Sequence, residues 1–285
     1  MKYSDQANLD PSQMGGGGNG GKIAIGGGAG LIVVVLALLF GINPGDILGG
    51  SGQAGSGSSD SSPFAQCTKG SDIDKDRNCR FVAYTNSIQD YWGATVKNYK
   101  VIKVDTFTGQ VSTACGTASS AVGPFYCPPD TTVYLDLGFF DELTGKLGAE
   151  GGDAAEAYVL AHEFGHHVQN LVGTMAKVQG NDQGTGPKSA QVRLELQADC
   201  YAGVWFKHAT QDPDSPITDV STDDLNRALD AAGAVGDDRI QQKTQGQVTE
   251  ETWTHGSAAN RQKWLTRGFS TGNPNQCDTF AADAL

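Results

Sequence analysis

The chain has no internal repeat, no P-loop and no dinucleotide fingerprint, which excludes repeat architectures and the common nucleotide-binding enzymes. Basic residues are scarce. Twenty Lys and Arg stand against 32 Asp and Glu, a net charge of −12, which argues against nucleic acid or an anionic membrane surface as the main partner. No two of the six cysteines have CxxC spacing, so a thiolate zinc site is disfavoured. With 285 residues the chain is long enough for one sizeable domain plus appendages.

What is present is Ala161-His162-Glu163-Phe164-Gly165-His166-His167, an HExxH motif inside a helical pattern. Side chains four apart share a helix face, so His162 and His166 can present imidazoles to one zinc ion, with Glu163 beside a water in the open position. The helix is expected from about Ala154 to about Leu171, with Asp153 as its N-cap. Leu160, Phe164, Val168 and Leu171 repeat at helical spacing, and Val159, Ala161 and Val172 add apolar surface elsewhere. Burial on more than one side follows. Two neutral imidazoles in a core need partners, and a metal serves both.

A second helix, from the cap Ser189 to about His208, carries Glu195 and Asp199 on one face. Glu195 is the candidate third ligand, and Asp199 can accept a hydrogen bond from the far nitrogen of a ligand histidine. The competing reading is a solvated Glu195 paired with Arg193 or a nearby lysine. Two further helices are expected, one capped at Ser221-Thr222-Asp223-Asp224 and running through about Ala234, the other from Ser257 or Ala258 to about Arg267. The polar connector 236–252 reads as a surface loop. His167 points about a hundred degrees from the metal face and reads as structural. His208 suits the C-terminal end of a helix dipole. Thr131 to Leu137 alternates as a strand, and Phe125, Tyr126, Phe139 and Phe140 read as core or cleft-wall aromatics.

HExxH followed by ExxxD on a later helix resembles the gluzincin pattern. The metzincin continuation would need Gly and His where Gln169 and Val172 stand. More narrowly, Cys115-Gly116, 122–128, 133–141, HEFGHHVQN at 162–170, ELQADCYAG at 195–203, 254–257 and 276–280 resemble the bacterial neutral zinc metallopeptidase family. The resemblance spans about Cys67 to Phe280. It implies an α+β fold: a mainly helical, zincin-like metallopeptidase domain with a small β-sheet, holding one Zn2+ per chain on His162, His166 and Glu195. Glu163 would be the base that takes a proton from the attacking water and passes it to the leaving amine of a peptide or protein substrate. His255 would stabilise the oxyanion, with a helix-cap role as the alternative. An extended substrate would add as a strand beside 131–137, an internal strand with no substrate contact being the alternative. Two other classes remain open at this stage: a zinc-stabilised cell-surface binding or scaffold domain, and a hydrolase of non-peptide or cell-wall amides.

The chain divides at the sequence level into a Gly-rich head (1–22), an apolar segment (23–42), a Gly/Ser-rich linker (43–63) and the metallopeptidase domain (64–285). The uncharged run 23–42 is about long enough to cross a bilayer. It reads as a retained signal anchor, a cleaved signal peptide being the competitor, because no small-x-small cleavage site follows directly. Lysines before it and aspartates after it put the head in the cytoplasm and the domain outside, as a single-pass cell-membrane protein. Cys67, Cys79, Cys115, Cys127, Cys200 and Cys277 all lie on the exported side and suggest three disulfides. Fifteen connectivities are open; the working expectation is Cys67 with Cys79, Cys115 with Cys127, and Cys200 with Cys277.

Overall fold

The longest helix, α3 (Asp153–Val172), is buried along nearly its whole length from Ala154 to Gln169, so every other layer is arranged around it. The computed structural model describes residues 1–16, 62–181, 184–281 and 284–285. Among these, α1 is Arg77–Thr95, α2 Phe139–Gly145, α4 Thr174–Asn181, α5 Ala190–His208, α6 Thr222–Ala234, α7 Asp237–Gln245 and α8 Ala258–Thr271. The strands are β1 Lys2–Tyr3, β2 Met14–Gly16, β3 Lys103–Phe107, β4 Gln110–Thr113, β5 Gly116–Ser119, β6 Phe125–Cys127, β7 Thr132–Asp136 and β8 Ile217–Asp219. The architecture is α+β and mainly helical. Helices α1, α5 and α6 and strand β6 all pack on α3, while α8 packs chiefly on α5.

The main sheet has the order β2-β3-β7-β6. β2, β3 and β7 run parallel, and β6 is antiparallel to β7. β4 and β5 form a separate hairpin, and β1 pairs with β8. The three disulfides are Cys67–Cys79, Cys115–Cys127 and Cys200–Cys277. The last ties the chain after α8 back to α5.

Local signals explain most boundaries. The Ser189 hydroxyl caps α5 by accepting the Val192 N–H, and Ser221 and Asp224 form a capping box on α6, as their sequences predict. α3 ends one residue beyond the expected Leu171. Its start differs in kind: Gly152 occupies the cap, and Asp153 is the first helical residue. The Asp153 carboxylate instead bonds Arg80 and the Tyr3 hydroxyl. α8 continues past Arg267 to Thr271 because Gly268, which looks like a breaker in sequence, sits inside it. A Cβ there would lie 1.9 Å from the Cys200 carbonyl oxygen, so glycine permits the α5–α8 approach.

Two expectations change. The stretch 236–252 is not a loop throughout, since it holds α7 and a short 3-10 turn at Glu250–Thr252. Ile240 anchors α7 in the core, which one apolar residue in a polar run does not advertise. Residues 1–16, read as part of a separate head, contribute β1 and β2 to the domain. The segment 23–42 and nearly all of the linker 43–63 lie outside the described residues. Among the described residues, no helix is long and apolar enough to cross a membrane.

Candidate metal centre

His162 and His166 lie one turn apart on α3, with ring centroids 4.8 Å from each other. Glu195 reaches them from α5, and the ligand atoms of the three residues lie within 4.8 Å of one another. All three side chains are buried. The solvated alternative for Glu195 is therefore not what the fold adopts: Gln191 donates to its Oε1, and Arg193 turns to carbonyl oxygens at Thr279 and Ala281.

The hydrogen bonds decide which nitrogens face inward. His162 Nδ1 lies 2.9 Å from Asp199 Oδ1, and His166 Nδ1 lies 2.9 Å from Gln169 Oε1. Both partners are acceptors, so each Nδ1 carries a proton and each Nε2 turns toward Glu195. The Nε2 atoms stand 3.1 Å from Glu195 Oε2 and 3.6 Å from Oε1. Tetrahedral ligands about 2.0–2.1 Å from zinc are about 3.3 Å apart, so the spacing fits the ion. A His2Glu donor set matches catalytic zinc chemistry.

Behind His162 is a buried polar cluster. Asp199 Oδ1 also accepts from the Tyr158 hydroxyl at 2.6 Å and from Arg261 Nη2 at 2.9 Å, while Oδ2 accepts from Arg261 Nε at 2.9 Å. Arg261 also donates to Tyr158 and to the Val235 carbonyl. Such bonds orient a ligand imidazole and fix its tautomer. Burial pushes Asp199 up, but Arg261 and His162 outweigh it and lower its pKa. On the other side, Gln169 donates to the Leu194 carbonyl at 2.7 Å and so holds His166 in register with α5.

Glu163 is buried, and its Oε2 has no hydrogen-bond partner. Burial raises its pKa, with His162 and His166 pulling the other way. Burial would also raise Glu195, but His255, His166 and His162 hold its carboxyl well below the usual range. His255 Nε2 stands 3.9 Å from Glu195 Oε2 across the cleft. Its loop is pinned by Asp237 Oδ2, which accepts the N–H groups of Thr254, His255 and Gly256 at 2.7–2.9 Å.

Sequence reasoning missed Tyr158, Arg261 and Asp237. Tyr158 stands four residues before His162, on the same face, which is a readable signal. Asp237 opens α7, where an acidic first turn marks a helix start. Arg261 has no local signal and reaches the site only through the α5–α8 packing.

His167 is structural, as its angle predicts. Its Nε2 donates to the Lys100 carbonyl at 2.9 Å, and its Nδ1 faces the Tyr126 hydroxyl at 3.0 Å. His208, at the end of α5, bonds the Gly272 carbonyl at 2.8 Å. Phe125, Tyr126 and Phe140 are core residues, and Phe139 lines the cleft.

The strand beside the cleft is not the one expected. β7, within 131–137, is hydrogen-bonded to β3 on one side and β6 on the other, so it has no free edge for substrate. β6 ends the sheet, and Val122 and Pro124, which lead into it, line the cleft. Its three residues, after Gly123-Pro124, are too few for alternation to reveal.

A consequence concerns metal uptake. Burial disfavours the charge on His162, yet Asp199 and Glu195 more than compensate and raise its pKa to about 9 in the metal-free protein. Below about pH 9 a zinc ion held here would therefore compete with a proton, and its uptake would release it. The apparent zinc affinity is expected to rise about tenfold per pH unit toward that value and to flatten above it. Competition with a chromophoric chelator from pH 6 to 9.5 measures the slope; an affinity independent of pH would refute the coupling.

An uncharacterized protein of Mycobacterium tuberculosis (strain ATCC 25618 / H37Rv) is 48% identical over 257 residues, covering 87% of this chain and 86% of that protein. The uncharacterized protein YpfJ of Escherichia coli (strain K12) is 44% identical over 223 residues, 75% of this chain and 76% of its own. No solved structure matches the chain. A family model described as "Putative neutral zinc metallopeptidase" matches residues 3–280, and with nearly the whole chain covered, the chain belongs to that family.

Proposed function

We propose that the protein is an extracytoplasmic zinc-dependent endopeptidase. The observation that carries this reading is the convergence of His162 Nε2, His166 Nε2 and the Glu195 carboxylate in a cleft that also holds the unpartnered Glu163 Oε2. Three disulfides with no free cysteine among the described residues support an oxidising compartment.

A bound zinc supplies Lewis acidity, which lowers the pKa of water toward about 7 and polarises a carbonyl oxygen. His162, His166 and Glu195 would hold the ion, and Asp199 and Gln169 keep both imidazoles turned inward. An extended peptide enters the cleft past Val122 and Pro124, which line it, and so presents its scissile carbonyl to the metal ligands. Glu163 takes a proton from the attacking water at its free Oε2 and delivers it to the leaving amine nitrogen. His255 donates from Nε2 to the carbonyl oxygen as negative charge develops there. The walls of Phe139, Val159, Val235 and Ile240 seat an apolar side chain beside the scissile bond and exclude water.

Elemental analysis of the purified full chain tests the metal. About one zinc per chain is expected, absent from the His162→Ala/His166→Ala variant. No zinc in metal-replete protein would sink the reading. A cleavage screen on folded proteins, unfolded chains and cell-wall fragments then tests the reaction, and cleavage confined to wall fragments would exclude an endopeptidase.

A further inference from the structure

We infer that residues 1–16 and the domain that begins at residue 62 form one folded unit and lie on the same side of any membrane the chain meets. This inference is independent of the peptidase reading. It replaces the topology expected from sequence, in which the head and the domain face opposite compartments.

Residues 1–16 are built into the domain at three places. β1 pairs with β8, with Lys2 opposite Asp219, and the Ser4 N–H donates to the Pro216 carbonyl at 3.0 Å. Next, the Leu9 N–H donates to the Thr68 carbonyl at 2.9 Å, and the Gly70 N–H to the Ala7 carbonyl at 2.8 Å. Finally β2 adds to the β3 edge of the main sheet in parallel register, Met14 opposite Val104. Leu9 and Met14 enter the main hydrophobic core.

The domain's own residues are shaped for this segment. Asn86, buried on α1, uses both ends of its amide on residue 10: Oδ1 accepts the Asp10 N–H at 2.8 Å, and Nδ2 donates to the Asp10 carbonyl at 3.1 Å. Gln89 on the same helix donates to Gln13 Oε1 at 2.7 Å. The Tyr3 hydroxyl donates to Asp153, the first residue of the metal-binding helix. At Gly70 a Cβ would lie 1.7 Å from the Ser4 carbonyl oxygen, so the close approach of segment 1–16 requires glycine there. Without the segment, Leu9 and Met14 are lost from the core and a buried asparagine loses its partners at Asp10, and such a group left unpaired is costly.

The ends of the excursion between the two parts meet. The Cβ position of Gly16 is 3.3 Å from Pro63 Cγ. A single crossing between them would separate these residues by a hydrocarbon layer about 30 Å thick. Residues 16 and 63 therefore lie on the same side of any bilayer the chain meets.

The test uses the full chain in Escherichia coli spheroplasts. Single Lys2→Cys, Val101→Cys and Asp219→Cys variants are treated with a membrane-impermeant maleimide before and after lysis. Lys2 and Val101 are exposed, and the native cysteines are paired in disulfides. The three thiols are expected to label to equal extents in intact spheroplasts. The Lys2→Cys/Asp219→Cys pair is expected to lose both labels on mild oxidation, because facing strand residues lie within disulfide reach. Labelling of Val101→Cys before lysis and of Lys2→Cys only after it, or the reverse, would overturn the inference. Two free thiols persisting in the oxidised double variant would overturn it as well, since the segment would then not be docked.

Discussion

Glu163→Gln is expected to lower peptide turnover by about 10²–10⁴-fold while the protein keeps its zinc and its fold. The magnitude is that of removing a positioned general base, and the selectivity follows from the environment. Glu163 Oε2 has no hydrogen-bond partner, so glutamine breaks no bond at that atom that holds the structure together. The ligands His162, His166 and Glu195 keep their own supports in Asp199, Gln169 and Gln191. Turnover of a fluorogenic peptide, elemental zinc analysis and thermal melting should be read on the same preparation. Wild-type turnover with the zinc in place would remove Glu163 from the proton path. A loss of zinc would instead make the residue part of the metal site, and the lost activity would then carry no information about the base.

The second large effect belongs to Arg261. Its guanidinium is buried, bonds both oxygens of Asp199 and reaches Tyr158. Arg261→Ala leaves Asp199 charged, buried and short of two hydrogen bonds, and removing one partner of a buried ion pair costs about 3–5 kcal/mol. For a domain of this size the melting temperature is expected to fall by on the order of 10 °C. Because Asp199 orients His162, zinc affinity in the folded variant should also fall, by about 10–100-fold. Arg261→Lys keeps the charge but not the planar fork, so it should recover part of the stability and less of the affinity. An unchanged melting temperature in Arg261→Ala would show that Asp199 is satisfied without it. A lowered melting temperature with unchanged zinc affinity would leave Arg261 a purely structural residue.

The two predictions separate what is read along the chain from what is read across it. Within one helix the spacing is sufficient: His162, Glu163 and His166 are placed on α3 by the helical repeat alone, as are Glu195 and Asp199 on α5. Serine caps at 189, 221 and 257 likewise locate helix starts, because a cap is a bond between near neighbours in sequence. The disulfide expectation also matched, with two of its three pairs closing short local loops.

Contacts between distant segments were illegible for a physical reason. Arg261 reaches Asp199 only because Gly268 lets α8 lie against the Cys200 carbonyl, and the energy of that approach is shared by two helices whose separate sequences do not encode it. A strand's place in its sheet is a property of sheet order, so an alternating run such as 132–136 identifies a strand without saying whether it lies inside the sheet. Residues 1–16 have too few apolar side chains to indicate burial by themselves; Leu9 and Met14 find their core in residues that follow position 62. Sequence by itself brought His162, Glu163 and His166 onto one helix and Glu195 and Asp199 onto another as candidate site residues, since these placements depend on residue type and helical period. Tertiary structure alone decided which groups orient those donors, which residues wall the cleft and where the first sixteen residues belong, since these depend on surfaces that exist only after the segments have packed.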